Sequence, residues 1–188
     1  MVARKQELPP VIRLAPAPAA DSDGPLDLEA LFRQYAPYVA RIGHRLLGRG
    51  DEVDDLVQDV FLAAHRGLTR LRDREAIKGW LATVAVRLAR RRLRRRRFAV
   101  VLGLDGAPDY RELADDGASP EQRALVARIY RALDDLPVEQ RLAWSLRHVE
   151  GESLERVAEL AGCSLATAKR RIKAAQERLR QYTGEVGQ

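Results

Sequence analysis

The chain has 188 residues, enough for one domain or two small ones, and 33 Lys and Arg against 27 Asp and Glu leave it a net charge of +6. A single cysteine, Cys163, excludes a disulfide framework or thiolate metal cluster, and the scattered His44, His65 and His148 form no HxxxH or HExxH pattern. No apolar run approaches the length of a membrane span, and Arg13, Pro16 and Pro18 interrupt any leader-like segment, so membrane insertion is not expected and a reducing cytoplasm is the expected compartment.

Residues 1–25 are rich in Pro, Ala and Asp without periodicity and are expected to form a disordered tail. From Asp27 to Gly48 the residues Leu28, Leu31, Phe32, Tyr35, Val39, Ile42 and Leu46 recur at helical spacing, with Pro37 expected to kink or divide the helix. Asp51 is placed to cap the next helix, with Glu52, Asp54 and Asp55 in the first turn, where the helix dipole favours acids. Val53, Leu56, Val57, Val60, Phe61 and Ala64 form its expected buried face; Asp55, Gln58, Asp59 and Leu62 lie towards another side. A loop over Arg66 to Arg72 leads to Asp73, the expected cap of a third helix.

That third helix begins amphipathic, with Trp80, Leu81, Val84, Ala85 and Leu88 at helical spacing. It then becomes cationic: eight of the eleven residues from Arg87 to Arg97 are arginine. Subtracting those eight from a net of +6 leaves −2 for the rest of the chain, so the basic character is a local device. Arg87, Arg90, Arg91 and Arg94 fall at i, i+3, i+4 and i+7 and predict one stripe, with Arg95 beside it. Like charges on adjacent turns repel, and phosphates laid against them relieve the repulsion while releasing condensed counterions, so the stripe calls for a polyanion; the alternative is a solvated, repulsive helix end or an import-type basic tract.

Periodicity fails over residues 98–118. FAVVLGL is a short apolar run, and the remaining DGAPDYRELADDGA carries five acids against one arginine, an acidic linker that could compete for the arginine stripe. Ser119 and Gln122 then bracket Pro120 in a capping box, followed by an apolar stripe of Leu125, Ile129, Ala132, Leu133 and Leu136. Pro137 opens a further helix that runs to Val149 and is ended by Gly151. Ser153 caps a short helix with Leu154, Val157, Ala158 and Ala161 inward. After the Ala161–Ser164 turn, in which Cys163 is a small buried filler, Ser164 caps a last helix with Leu165, Ala168, Ile172, Ala175 and Leu179 inward. Two helices joined by such a turn, the second bearing Thr167, Lys169, Arg170, Arg171 and Lys173, predict a helix-turn-helix. In that docking mode Ala166, Thr167, Lys169, Arg170 and Lys173 reach DNA: Arg170 is suited to guanine, Thr167 to a thymine methyl, the lysines to phosphate. The expectation is an all-α chain with a helical domain over 26–97, the linker, a helix-turn-helix domain over 119–182 and a short tail over 183–188. The acid cluster Asp51 to Asp59 lacks the spacing and glycine of a calcium loop, and no phosphate-binding glycine loop or nucleophile–base pair is present. Neither enzyme activity nor a metal or cofactor is expected.

The order of DEVDDLVQDVFLAAHR, WLATVAVRLARRRLRRRR, an acidic linker and ALDDLPVEQRLAWSLRHVEGESLERVAELAGCSLATAKRRIKAAQERLR resembles the extracytoplasmic-function class of bacterial sigma factors over roughly residues 27–182. The resemblance implies that Asp55, Leu56, Gln58, Asp59, Phe61 and Leu62 bind core RNA polymerase, at the clamp helices of its largest subunit. It implies that the first domain reads and opens the −10 promoter element, with Arg87, Arg90, Arg91, Arg94 and Arg95 on the DNA side, and that the last helix reads the −35 element. An anti-sigma factor is a further implied partner. The sequence departs from the family at Arg87, where Asn is common, and at Leu71, where an aromatic residue is common, both around the pocket for a flipped −10 base. Two rival readings are a free-standing helix-turn-helix regulator, which leaves the acidic helix and the arginines without a joint purpose, and a sigma-mimicking adaptor for an anti-sigma factor, which would not need Lys169, Arg170 and Lys173.

Overall fold

The helical periodicities are realised in a computed structural model that describes residues 28–48, 50–67, 76–104, 110 and 117–184. Among the described residues the regular elements are α1 (Leu28–Leu47), α2 (Gly50–Gly67), α3 (Ala76–Val101), α4 (Pro120–Asp134), α5 (Val138–His148), α6 (Leu154–Leu160) and α7 (Leu165–Gly184). The expected N-terminal tail, Leu71, Asp73 and the linker acids Asp105, Asp109, Glu112, Asp115 and Asp116 lie outside the described residues. None of these helices is long and apolar enough to cross a membrane.

Helices α1–α3 pack together over Leu31, Val39, Ile42 and Leu46 of α1, the expected face of α2, and Ile77, Leu81, Val84, Ala85, Ala89 and Leu93 of α3. Pro37 does not divide α1, which runs unbroken from Leu28 to Leu47. The proline removes one helical hydrogen bond, yet Leu31 before it and Val39 after it lie in the same core and keep the helix in place. Phe32 is 45% exposed rather than buried, its ring set edge-on against Phe61 with centroids 4.8 Å apart. Helix α2 begins at Gly50, so Asp51 sits in the first turn beside Glu52 instead of capping it; the dipole argument for these acids is unchanged.

Helix α3 overruns the expected boundary at residue 97. It closes after Val101 through Gly103, whose φ of +69° lets Leu104 donate to the Ala99 carbonyl and Gly103 to that of Val100. The overrun leaves Phe98, Val100, Val101, Leu102 and Leu104 exposed at the helix end.

In the second unit the capping box forms as the sequence predicts: the Ser119 hydroxyl accepts from the Gln122 amide, and the Gln122 side chain accepts from the Ser119 amide. The Ser153 hydroxyl likewise accepts from the Arg156 amide and that of Ser164 from the Thr167 amide. On α4 the buried face is Val126, Ala127, Tyr130, Ala132 and Leu133, one position round from the expected stripe, and Leu125 and Ile129 are only half-buried. Tyr110 accounts for that rotation: it packs with Tyr130, Leu133 and Trp144 in one apolar cluster, ring centroids 5.3 Å from Tyr130.

Tyr110, inside the expected linker, is not solvated: it is 1% exposed. Nor do the two units keep separate cores. Leu142, Ala143 and Leu146 of α5, Val157, Ala158 and Leu160 of α6, and Ala168 and Ile172 of α7 belong to the same apolar cluster as the interior of α1–α3. At the seam, Gly48 ends α1 with φ of +70°, and a Cβ there would lie 2.7 Å from the Tyr130 ring and 2.8 Å from that of Tyr110. Only glycine meets both the backbone and the packing requirement.

Candidate nucleic-acid and partner interfaces

Charged groups line this seam, and most are arginines. Arg141 of α5 is 3% exposed and donates to the Leu46 and Leu47 carbonyls, which α1 leaves unpaired at its C-terminus, and to Asp134. Arg45 of α1 pairs with Glu150 at 3.1 Å. Burial holds the Glu150 carboxyl above its usual range, with the Arg45 guanidinium opposing that shift. Tyr130 donates to the Arg45 carbonyl at 3.0 Å, and its burial pushes the phenol up to about 12.

The expected arginine stripe is split by the same seam. Arg96 is buried: its guanidinium donates to Glu52 at 2.7 Å, to the Leu47 carbonyl at 3.0 Å and to the Tyr110 hydroxyl at 3.2 Å. Tyr110 in turn donates to Asp134, and burial with that hydrogen bond raises its pKa. Arg92 holds Asp59 at 2.8 Å, and Arg97 donates to the Leu136 carbonyl at 2.8 Å. Arg90 and Arg94, expected on the DNA side, turn to the second unit instead. Arg90 donates to the Ala161 carbonyl in the helix-turn-helix turn at 2.6 Å, and Arg94 to Glu139 of α5 at 2.7 Å. The physical reason is that α5 and α6 pack against α3 on that side and bring acceptors to it. Arg87, Arg91 and Arg95, at i, i+4 and i+8, form the outward row.

The second cationic surface lies on α7. Gly162, at φ +59°, lets Cys163 donate to the Ala158 carbonyl and Gly162 to that of Glu159, which fixes the angle between α6 and α7. Ala166, Lys169, Arg170 and Lys173 are exposed on the N-terminal half of α7. Lys173 lies 3.9 Å from Glu177 on the same helix. Thr167 is half-buried, its hydroxyl accepting from Ser164 at 2.9 Å. Leu165, expected inward, is 37% exposed, while Ala168 and Ile172 are buried. Leu165 opens the helix, three residues before its first buried position, Ala168.

On α2 the residues expected to bind a partner divide as well. Asp55, Gln58 and Leu62 are exposed, and Asp59 is half-exposed while pairing with Arg92. Leu56 and Phe61 are 0% and 5% exposed and belong to the interior, so in this structure they shape the surface from beneath.

Two cationic surfaces and an acidic–apolar helix face within one all-α chain narrow the possibilities, and comparison with known proteins decides. Residues 31–99 match the sigma-70 region 2 family and residues 127–179 the sigma-70 region 4 family, in that order. The ECF RNA polymerase sigma factor SigM of Mycobacterium tuberculosis is 32% identical over 156 residues, covering 83% of this chain and 76% of SigM. The chain belongs to the extracytoplasmic-function sigma factors. SigE of Mycolicibacterium smegmatis, an ECF sigma factor, is 31% identical over 159 residues, which cover 82% of this chain and 60% of SigE. In fold, this sigma factor is similar to the sigma factor RpoE solved in complex with the anti-sigma factor NepR from Bartonella quintana. That likeness has a TM-score of 0.62 at 24% identity and covers 85% of this chain and 98% of RpoE. Sigma factors direct transcription initiation and are a non-enzymatic family of transcription factors. A free-standing helix-turn-helix regulator would leave the region 2 match unexplained.

Proposed function

We propose that this sigma factor binds core RNA polymerase through the outward face of α2, contacts −10 DNA along Arg87, Arg91 and Arg95, and reads the −35 element with α7. The observation that carries the reading is the pair of exposed cationic rows, one in each sigma region, at a helix face free to meet DNA. On α7, Arg170 is the base reader, and Lys169 and Lys173 meet phosphate. On α2, Asp55, Gln58 and Leu62 offer a partner an acidic and apolar surface. Phosphate contacts supply affinity without sequence; the groove contacts of α7 supply selection.

This reading requires the two units to separate. In the structure α3 and α7 lie close enough to share the Glu139 carboxylate. Elements about 25 base pairs apart lie roughly 85 Å apart along a duplex at about 3.4 Å per pair. A globular chain of this length has a radius of gyration of about 16 Å and cannot reach both. Core polymerase is the body that would hold the separated readers at that distance and make the second contact intramolecular. An anti-sigma partner is part of the proposal too, supported by the similar sigma factor RpoE, solved in complex with the anti-sigma factor NepR.

The test is run-off transcription by core polymerase with and without this chain, followed by sequencing of the 5′ ends. A new, discrete set of start sites is the expected result, and their absence with core-bound protein would end the promoter-reading proposal. Asp55→Arg with Leu62→Arg should abolish co-purification with core while leaving helicity intact; this pair avoids Asp59, whose loss would also release Arg92.

A further inference from the structure

We infer that Glu139 is a built-in stand-in for a DNA phosphate, holding arginines of both readers and weakening DNA binding by the free chain. The inference rests on the proposal that the outward α3 row meets phosphate and extends it: Arg90 and Arg94 join Arg87, Arg91 and Arg95 once the units part.

Glu139 lies in the first turn of α5 and its side chain is 25% exposed. One oxygen, Oε1, is 2.7 Å from Arg94 Nη2 and 3.7 Å from Arg90 Nε; the other, Oε2, is 3.4 Å from Arg171 Nη1. The first two arginines belong to α3, the third to α7. One negative charge thus faces three positive ones, and neither Arg90 Nε nor Arg171 Nη1 has a hydrogen-bond partner. The cluster is under-neutralised, which is the condition under which a further anion gains most. Arg94 is 63% exposed, so a phosphate can approach it from solvent, but a guanidinium edge already 2.7 Å from a carboxylate cannot also donate to that phosphate in the same geometry. Carboxylate and phosphate therefore compete. Glu139 sits on the second unit and Arg90 and Arg94 on the first, so separating the units removes the competitor and frees the arginines together. A free chain is kept from adhering to bulk DNA, and the restraint disappears when the units part.

The test is fluorescence anisotropy of the full chain against a 24-base-pair duplex of random sequence (about 80 Å long at about 3.4 Å per pair) over a salt series. Glu139→Gln removes the charge and keeps the shape; it should tighten binding roughly two- to fivefold, the span expected for freeing partly exposed ion pairs. Glu139→Asp keeps the charge and should bind like the parent or between the two. Glu155→Gln removes the same charge from an exposed position of α6 and should stay close to the parent. In an Arg90→Gln, Arg94→Gln background the gain from Glu139→Gln should vanish. A gain no larger than that of Glu155→Gln, or one that persists without Arg90 and Arg94, overturns the competition. A different result marks failure of the underlying reading: Arg90→Gln with Arg94→Gln leaving affinity and salt slope unchanged even when Glu139 is Gln. Thermal melts of each variant confirm that the chains compared are folded.

Discussion

Helix α3 carries eight arginines between residues 87 and 97, and Arg90, Arg92, Arg94, Arg96 and Arg97 all bond to other parts of the protein. Helix α7 carries fewer cations, yet Lys169, Arg170 and Lys173 are all exposed on one half of it. Charge density and availability to a ligand therefore run in opposite directions in the two helices. What separates them is position. Helix α3 lies between α1 and α2 on one side and α5 and α6 on the other, so most directions around it end on an acceptor, whereas the N-terminal half of α7 projects beyond the turn that fixes it. A guanidinium among buried carbonyls is a structural element, and the same group one turn away is left to solvent.

The comparison breaks most visibly if the inward arginines prove dispensable. Arg96→Met should cost about 3–5 kcal/mol, because Glu52, the Leu47 carbonyl and Tyr110 lose their common donor. In a chain of this size that amounts to a fall of roughly 10 °C in Tm, measurable by circular dichroism. Arg91→Met, on the outward row, should stay within about 0.5 kcal/mol of the parent. Equal losses for the two would erase the distinction between the sets.

A smaller effect sharpens the account of α7. With holoenzyme and a library randomised in the −35 element, Arg170→Ala should cost about 1–3 kcal/mol at one base position and relax preference there. Lys173→Ala should lower binding to all variants alike. Base preferences unchanged by Arg170→Ala would reduce α7 to a phosphate anchor. On α3 the expected change is one of salt dependence: each of Arg87, Arg91 and Arg95 replaced by Gln should flatten the log–log slope of promoter binding by about 0.9. An unchanged slope would leave the outward row in solvent.

The smallest effect belongs to His148, whose ring centroid lies 5.0 Å from that of Trp144. Burial, with the neighbouring Arg147, holds its pKa below the usual 6.5. The unfolded chain therefore takes up a proton at higher pH than the folded one. Stability from this group is complete above about 6.5 and declines as pH falls towards the lower folded value. His148→Gln should remove that part of the slope in denaturant titrations between pH 5 and 7 (within about 1.5 units of the ordinary histidine pKa).

Much of this was legible in the residues. The capping serines 119, 153 and 164 and the buried face of α2 are local features, decided within a turn or two of chain, and the structure bears them out. The fate of the arginines was less so, because eight like residues in a row conceal which side of the helix each occupies. One signal was available: Val86, Ala89 and Leu93 continue at helical spacing to Arg96, which marks that arginine as interior. Glu139 and Tyr110 gave no such signal. Their roles come from contacts with Arg94, 45 residues away, and with Asp134, 24 residues away, and no periodicity encodes a distant partner. Leu56 and Phe61 are the opposite case: periodicity already set them on the buried face of α2, and only the family resemblance put them with Asp55 and Leu62 at a partner surface.

That shared core has a calorimetric consequence. Leu142, Leu146 and Val157 are covered by α1–α3, so heating the free chain should melt both sigma regions in one cooperative transition, with van't Hoff and calorimetric enthalpies in agreement. Parting the units wets those side chains and adds a positive heat-capacity increment. Association with a partner that opens the chain should then show a less negative heat-capacity change than the buried contact area alone predicts, whereas a partner that leaves it closed should show the full value. Isothermal titration at several temperatures can thus distinguish the two kinds of partner without any structural probe.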